Sequence, residues 1–229
     1  MLQQNNDSYG YRCIIPLSMC YFGFSIMASS LVHKYIQINS STISAGSIVM
    51  PFWFVLSDVI TEVYGYRLAR RMLWSLMLVE FIFYLSLQVF AIVQVDQGPS
   101  GAPYYFVFGS MMRTYFAVWA SLFFANFLNT YFMAKLKILF YSRHFWFRSI
   151  LASASGEVLY TVIGFYAILG GTVSNTTLFW LVYWGCVLKI VVTALSVFPA
   201  SIFIAWLKRV EGIDAYDVGV NFNPFKVEF

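Results

Sequence analysis

Charged side chains inside long apolar runs are the residues of this sequence best able to do chemistry. In the stretch SDVITEVYGYRLARR, Asp58 and Glu62 stand four residues apart at the end of such a run, and three arginines follow closely. A spacing of four places two side chains on one face of a helix, where two carboxylates disfavour each other. Because this arrangement costs stability, the pair is typical of a functional site.

Four more charged residues fall within or at the edge of apolar runs, namely Glu80, Arg113, Glu157 and Lys189. An ionised side chain near the centre of a bilayer costs at least about 2.5–3.5 kcal/mol, so each residue needs a partner or a role. Two interpretations of each carboxyl stay open. It pairs locally with a base, or is protonated, and stabilises packing, or it belongs to a polar site. Arg113 is close enough to the end of its run to reach the membrane surface.

Composition indicates which elements position these residues. The chain has 229 residues, of which 60% are hydrophobic and 10% charged, against roughly 45–50% and about 25% in an average soluble domain. So few charges do not cover the surface of a water-soluble globule, and the apolar residues come in long runs. We therefore predict an integral membrane protein.

Six segments are apolar over the length of about 20 residues that a transmembrane helix needs. They run approximately over residues 12–34, 43–64, 72–95, 109–134, 149–171 and 178–207. Short loops join them, and a polar, aromatic tail follows at 208–229. The predicted fold class is all-α, a bundle of six transmembrane helices that forms a single membrane domain over residues 1–229.

Lysine and arginine set the orientation of the predicted bundle. They are concentrated after the second, fourth and sixth spans, at Arg67, Arg70, Arg71, Lys135, Lys137, Arg143, Arg148, Lys208 and Arg209. Basic loops favour the cytoplasmic side, so both termini are predicted to be cytoplasmic. In this interpretation the arginines near residue 70 mainly anchor a helix end.

This orientation places four carboxyl groups at a similar depth, in the cytoplasmic half of the membrane: Asp58, Glu62, Glu80 and Glu157. Lys189 is expected nearer the midplane on the sixth span. We therefore expect one polar cavity in which a lysine opposes the carboxyl groups. Asn126 and Asn129 end the fourth span among aromatic residues, and two roles stay open for their amides: binding the edge of a heterocycle and joining helices.

Common catalytic and cofactor motifs are absent from the sequence. It has no H-E-x-x-H, no G-x-S-x-G and no Walker loop. Cys13, Cys20 and Cys186 lie in apolar segments without the spacing of metal ligands, and are predicted to be small apolar fillers. We therefore expect no enzyme activity, no metal and no cofactor. The net charge of +4 does not indicate a nucleic-acid partner in a membrane protein.

Several segments resemble the queuosine precursor transporter family, also called the VUT family. The resemblance covers most of the chain in the right order. It rests on PFWFVLSDVITEVYGYRLARRMLW at 51–74, NFLNTYFMAKLK at 126–137, RSILASASGEVLYTVIGF at 148–165, YWGCVLKIVVTALSVFP at 183–199 and EGIDAYDVGVNFNPF at 211–225. The Asp-Val-Ile-Thr-Glu-Val-Tyr-Gly string within the first segment is the most specific of these signals.

The resemblance implies a six-helix protein of the bacterial inner membrane that imports 7-deazaguanine bases, the precursors of the tRNA nucleoside queuosine. The positions that match the motifs of the family are Asp58, Glu62, Gly65, Arg70, Asn129, Gly156, Glu157 and Lys189. One departure concerns the fifth span. Where the family often has Gly-Gln and then Asp-Thr, this chain has Gly156-Glu157 and Tyr160-Thr161. The carboxyl group is therefore at residue 157 instead of residue 160. This difference concerns the exact substrate or its binding pose.

A deazaguanine presents an N–H and an exocyclic amine along one edge, a donor pair that one carboxylate accepts. We expect Glu157 at this edge and Asn129 or Lys189 at the carbonyl. Asp58 and Glu62 are expected to bind an aminomethyl cation, carry a coupling proton or gate the cytoplasmic exit. The secondary candidates for the site are Glu80, Arg70, Arg113, Asn126 and Tyr160.

The predicted function is import of a queuosine precursor, or a related purine-like base, by alternating access. The alternative is a substrate-binding membrane subunit that needs a separate energising ATPase complex. The expected partners are the small-molecule substrate and the lipid bilayer, with homo-oligomerisation left open and no nucleic acid.

Overall fold

The computed structural model describes residues 11–32, 34–38, 41–92 and 112–226. Within these ranges the chain forms six helices: α1 (Ile14–Ser30), α2 (Gly46–Tyr64), α3 (Tyr66–Ile92), α4 (Met112–Leu139), α5 (Phe145–Leu169) and α6 (Asn175–Glu211). Strands β1 (Tyr35–Ile38) and β2 (Ser41–Ser44) form an antiparallel hairpin between α1 and α2, in which Tyr35 pairs with Ser44. This hairpin lies where a loop and the first residues of the second span were predicted.

Five of the helices, α2 to α6, are long and apolar enough to cross a membrane, and α1 is a shorter apolar helix of 17 residues. The chain is therefore a multi-pass helical membrane protein. The predicted end of the third span at residue 95 and the predicted start of the fourth at residue 109 lie outside the described residues.

Four helices extend beyond the predicted apolar spans, and α6 does so at both of its ends, since it runs over Asn175–Glu211 rather than 178–207. α3 begins at Tyr66 rather than near residue 72, α4 continues to Leu139 rather than 134, and α5 begins at Phe145 rather than 149. Arginine and lysine are good helix formers, so a helix does not stop where hydropathy falls. The extensions place several basic residues inside helices where loops were predicted.

Helix α2 occupies the centre of the bundle. It contacts each of the other five helices. Of its most apolar stretch 78% is buried, against 28% for that of α6. Its polar residues therefore point into protein rather than lipid, whereas most of α6 faces outward. This central position explains why Asp58 and Glu62 are both shielded from solvent.

The ends of the bundle are fixed by polar contacts. The backbone N–H groups of Arg12 and Cys13, just before α1, donate to the carboxylate of Glu211 at the end of α6. The first helix therefore starts, and the last one ends, on the same side of the bundle. Gly65 separates α2 from α3 with a φ of +85°, in the region that favours glycine.

Residues 212–226, here called the tail segment, bind along this same end. The N–H of Ala215 donates to Val63 at 3.0 Å, and the N–H of Tyr66 donates to both oxygens of Asp217. Arg70 donates to the carbonyls of Asn221 and Asn223. The predicted polar tail is thus an ordered cover over the turn between α2 and α3.

Candidate substrate site

The carboxyl groups predicted to line one cavity make four different sets of contacts. Asp58 bonds to amide and hydroxyl groups of α4 and α5. Glu62 binds basic side chains, Glu80 binds serines of α1, and Glu157 binds a threonine of α6. Glu157 interacts with both Asp58 and Lys189, as the predicted cavity requires, whereas Glu62 and Glu80 bind elsewhere, because helix rotation directs neighbouring carboxyls to different partners.

Asp58 joins three helices. Its Oδ1 accepts from Asn129 Nδ2 of α4 at 2.8 Å, and its Oδ2 accepts from the hydroxyls of Ser149 and Ser153 of α5 at 2.5 and 2.8 Å. The two serines are four residues apart and therefore share a helix face. Three donors satisfy the carboxylate, so Asp58 holds α2, α4 and α5 together and orients the Asn129 amide.

The two asparagines of α4 differ in what remains free. Asn126 uses both ends of its amide: Nδ2 donates to the Tyr21 hydroxyl, and Oδ1 accepts from Ser57 and Thr130. Asn129 donates to Asp58, but its Oδ1 is buried without a hydrogen-bond partner among the described residues. Asn126 therefore joins helices, while Asn129 offers an unused acceptor.

Glu157 and Lys189 lie across the interface of α5 and α6. Thr193 donates to Glu157 Oε1 at 2.7 Å, while Lys189 Nζ donates to Thr161 Oγ1 at 2.8 Å and lies 4.6 Å from the centre of the Tyr160 ring. Glu157 interacts electrostatically with Lys189 and with Asp58. Glu157 Oε2 is buried without a hydrogen-bond partner among the described residues.

Together these residues form the central polar cluster, defined here as Asp58, Asn129, Glu157 and Lys189. Each side chain of the cluster is at most 1% exposed. Gly156 allows a close approach of the surrounding helices, since a Cβ there would lie 2.8 Å from the Phe54 ring and 3.1 Å from the Cβ of Asn129. The cluster is therefore bordered by aromatic side chains and closed to solvent in this conformation.

Buried polar atoms without partners indicate what the cluster can bind. Within the described residues, two members of the cluster have such atoms, the acceptors Asn129 Oδ1 and Glu157 Oε2, and the Lys189 ammonium is a donor close to Glu157. Buried polar groups in proteins are nearly always hydrogen-bonded. Their presence next to aromatic rings favours a site for a flat molecule that has both N–H groups and acceptors.

A second polar group, the inner ion-pair network, lies at the end of the bundle where α1 begins and α6 ends. It consists of Glu62, Lys137, Arg148, Lys208 and Asp214. Glu62 accepts from Arg148 at 2.9 Å and from Lys208 at 2.8 Å. Lys137 and Lys208 both also bind Asp214 of the tail segment, at 2.6 and 2.9 Å. This network links α2, α4, α5, α6 and the tail segment.

Two members of this network correct the sequence analysis. Lys137 and Arg148 were placed in a basic loop, but they belong to α4 and α5 and are at most 1% exposed. Glu62 was expected to bind a cation, carry a proton or gate the cytoplasmic exit, and it is paired here with basic side chains. It therefore closes this end of the bundle in the present conformation.

The acidic residues of the tail segment respond to their surroundings in opposite directions. Burial acts to raise the pKa of Asp214, but hydrogen bonds from Lys137 and Lys208 outweigh it and hold that pKa below 3.8. Burial dominates at Asp217 and raises its pKa, although the N–H of Tyr66 acts against it. Asp214 is thus ionised at neutral pH and serves the network as a charged partner.

Most of the remaining candidates lie apart from the central polar cluster. Arg70 binds tail carbonyls, and Arg113 donates to the carbonyls of Ala167 and Gly170 at the end of α5. Glu80 accepts from Ser25 of α1, while Tyr160 lies beside Lys189 as described. Among the described residues, no group of three or more His, Cys, Asp or Glu side chains is arranged to hold a metal ion.

The bundle and the cluster define a multi-pass membrane protein whose long apolar helices enclose a buried polar centre. The family described as "Putative vitamin uptake transporter" matches residues 44–204, which is more than half of the chain. The chain belongs to this family, and membership favours transport over catalysis. No curated protein and no solved structure matches the chain.

Several residues of the site were missed by sequence reasoning. Ser149, Ser153 and Thr161 of α5 and Thr193 of α6 all bind a member of the central polar cluster. One signal for them was available, because positions 149, 153, 157 and 161 recur at the four-residue spacing of a helix face. The charged residues were considered one by one, so the row of polar residues on this helix face was missed.

Proposed function

We propose that this chain imports a queuosine precursor, a 7-deazaguanine base or a related purine-like base, by alternating access. The observation that carries the proposal is the pair of unpartnered buried acceptors, Asn129 Oδ1 and Glu157 Oε2, beside aromatic side chains and Lys189. A flat base with several ring and exocyclic N–H groups supplies the donors that these atoms lack. Family membership supports transport, and the cluster supports the class of substrate.

Contacts within the cluster assign a role to each side chain. Glu157 accepts from the N–H and the exocyclic amine of the base through its free oxygen. Asn129 was expected to donate to the carbonyl, but its amide N–H is engaged by Asp58, so we assign Asn129 as an acceptor. The carbonyl is then left to the Lys189 ammonium. Desolvated groups of this kind discriminate strongly, because a wrong ligand leaves them unpaired.

Burial of the cluster supports alternating access. Because its side chains are at most 1% exposed, a base reaches them only when helices separate. The inner ion-pair network closes one end of the bundle, and the basic residues around it favour a cytoplasmic position for that end. With α1 as a sixth span, both termini are cytoplasmic and the protein lies in the bacterial inner membrane. Import then requires the network to open after the base has bound.

The proposal is tested by uptake of a radiolabelled 7-deazaguanine base in cells that lack their own route to it. Expression of the chain should give intracellular, chemically unchanged base, and an altered product would instead indicate an enzyme. Absence of uptake by correctly inserted protein would contradict the proposal.

A binding subunit of a larger complex is the second candidate, favoured by the fully enclosed cluster, which is suited to capture. Vesicles that contain this chain alone separate the two functions. Uptake by such vesicles supports a self-sufficient carrier. Binding of the labelled base without uptake would support a subunit that depends on a separate ATPase.

A further inference from the structure

Glu80 forms a second buried acidic site outside the central polar cluster. Its side chain lies on α3 and is fully buried. Oε1 accepts from the Ser25 hydroxyl of α1 at 2.6 Å, with Ser29 at 3.5 Å, while Oε2 has no hydrogen-bond partner among the described residues. Among the described residues, Glu80 takes part in no ion pair.

Among the described residues, the contacts of Glu80 are with uncharged side chains. The titratable side chains that interact with it electrostatically are tyrosines: Tyr21 of α1, Tyr84 of α3 and Tyr160 of α5. Tyr115 of α4 stacks on Tyr84, with ring centres 4.6 Å apart. A carboxylate without a counter-charge is costly in a dry interior. Glu80 is therefore stable here with a proton and able to release it only where water reaches it.

Two of these tyrosines also contact the substrate cluster or its supports. The Tyr21 hydroxyl accepts from Asn126, and its ring stacks on Trp53 with centres 5.4 Å apart. Tyr160 lies under the Lys189 ammonium at 4.6 Å. A helix movement that admits a base to the cluster therefore also changes the surroundings of Glu80.

We propose that Glu80 is the site of a coupling proton, carried separately from the substrate. This inference rests on the proposed transport function and adds its energy source. The proton binds Glu80 when the bundle is open to the outside, is held there through the closed state beside Ser25, and leaves to the cytoplasm after opening. The empty bundle then returns outward with water admitted to a deprotonated Glu80, so that one proton enters with each base. Import of the base is thereby driven by the proton gradient.

The test uses the purified full-length chain in vesicles with the membrane potential clamped at zero. Accumulation of radiolabelled 7-deazaguanine is measured under an imposed pH gradient, acid outside. Exchange of labelled for unlabelled base is measured without a gradient. One proton per base supports at most about tenfold accumulation for each pH unit. Glu80→Gln should reduce this accumulation to equality across the membrane while exchange continues.

Ser86→Ala serves as the matched control, because Ser86 is an exposed residue of the same helix whose hydroxyl donates to the carbonyl of Ile82. It should accumulate and exchange the base like the unaltered chain. Should Glu80→Gln fail to fold, Ser25→Ala combined with Ser29→Ala keeps the carboxyl and removes both donors. That variant should shift the external pH at which uptake is half-maximal.

Several results would overturn the coupling site. These are gradient-driven accumulation by Glu80→Gln, an unchanged pH profile in the double serine variant, or accumulation driven by a sodium gradient instead of a proton gradient. Exchange without any effect of the pH gradient would also overturn it and leave the transport function intact. Absence of both exchange and accumulation in the unaltered chain would overturn both proposals.

Discussion

Glu62 of α2 and Arg148 of α5 form an ion pair of 2.9 Å in which both side chains are at most 2% exposed. Glu62 also binds Lys208 at 2.8 Å and lies 3.7 Å from Lys137. One carboxylate therefore contacts three basic groups, two of which Asp214 also binds, and Glu62 is the centre of the inner ion-pair network. Arg148 supplies only one of its partners.

This asymmetry predicts unequal effects of removing the two charges. Glu62→Gln leaves the buried Arg148 without its counter-charge, and such a loss destabilises a protein by about 3–5 kcal/mol. Arg148→Gln should cost less, because Glu62 retains Lys208 and Lys137. Thermal unfolding of the purified variants in detergent gives the comparison. Equal midpoints for both variants would show that Glu62 does not hold the network together.

The membrane class and the main polar residues could be predicted from the sequence. Asp58 and Glu157 were singled out as intramembrane charges, and they interact electrostatically in the folded chain. The free-energy cost of a charge in lipid is a local property, so it can be judged from residue type and hydropathy. The same holds for the apolar helices, whose limits differ from prediction by only a few residues at most ends.

Specific partners could not be predicted in the same way. Asp58 meets Asn129, which is 71 residues away, and Glu62 meets Arg148, which is 86 residues away. Such pairs depend on the rotation of each helix about its axis, which packing sets and hydropathy does not encode. Arg148 was also assigned to a loop, because a fall in hydropathy was taken as the end of a helix.

Glu157→Gln should weaken binding of the base. The change removes a charge-assisted hydrogen bond, worth about 1.5–3 kcal/mol, so Kd should rise about 10- to 100-fold. Thr193 keeps a partner, because the Gln carbonyl still accepts its hydroxyl. Equilibrium binding of a radiolabelled 7-deazaguanine in detergent measures the effect.

The matched control for this variant is Val158→Ala, the next residue of α5, which is 39% exposed. Its side chain faces away from the cluster, so affinity should stay unchanged. Equal affinities for Glu157→Gln and the control would remove Glu157 from the assigned site and leave the family assignment untouched.

Asp214 should hold the tail segment over the whole physiological pH range. Its pKa in the folded chain lies below the ordinary value of 3.8, so its contacts with Lys137 and Lys208 stabilise the tail above that value. They are lost only as pH falls through the lowered pKa. Amide hydrogen exchange at Ala215, corrected for intrinsic rates, should show equal protection at pH 8 and pH 5.

Removal of the charge provides the counterpart to this pH series. Asp214→Asn should speed exchange at Ala215 at pH 7, since its N–H bond to Val63 depends on the tail staying in place. Asp217→Asn tests the neighbouring carboxyl on its own. The pKa of Asp217 is raised, so its ionisation destabilises the tail segment as pH rises. Unchanged protection in Asp214→Asn would show that the other tail contacts suffice.

Gly156→Ala should push α4 and α5 apart and disturb the central polar cluster. A Cβ at this position would lie 2.9 Å from the backbone oxygen of Ala125 and 2.8 Å from the Phe54 ring. Overpacking of this kind costs about 1–3 kcal/mol. Gly164→Ala, two turns along α5, is the matched control because its Cβ would lie 3.4 Å from the Ser121 hydroxyl. A lower unfolding temperature and weaker base binding are expected for Gly156→Ala alone, and equal behaviour of both variants would exclude close helix approach as the role of Gly156.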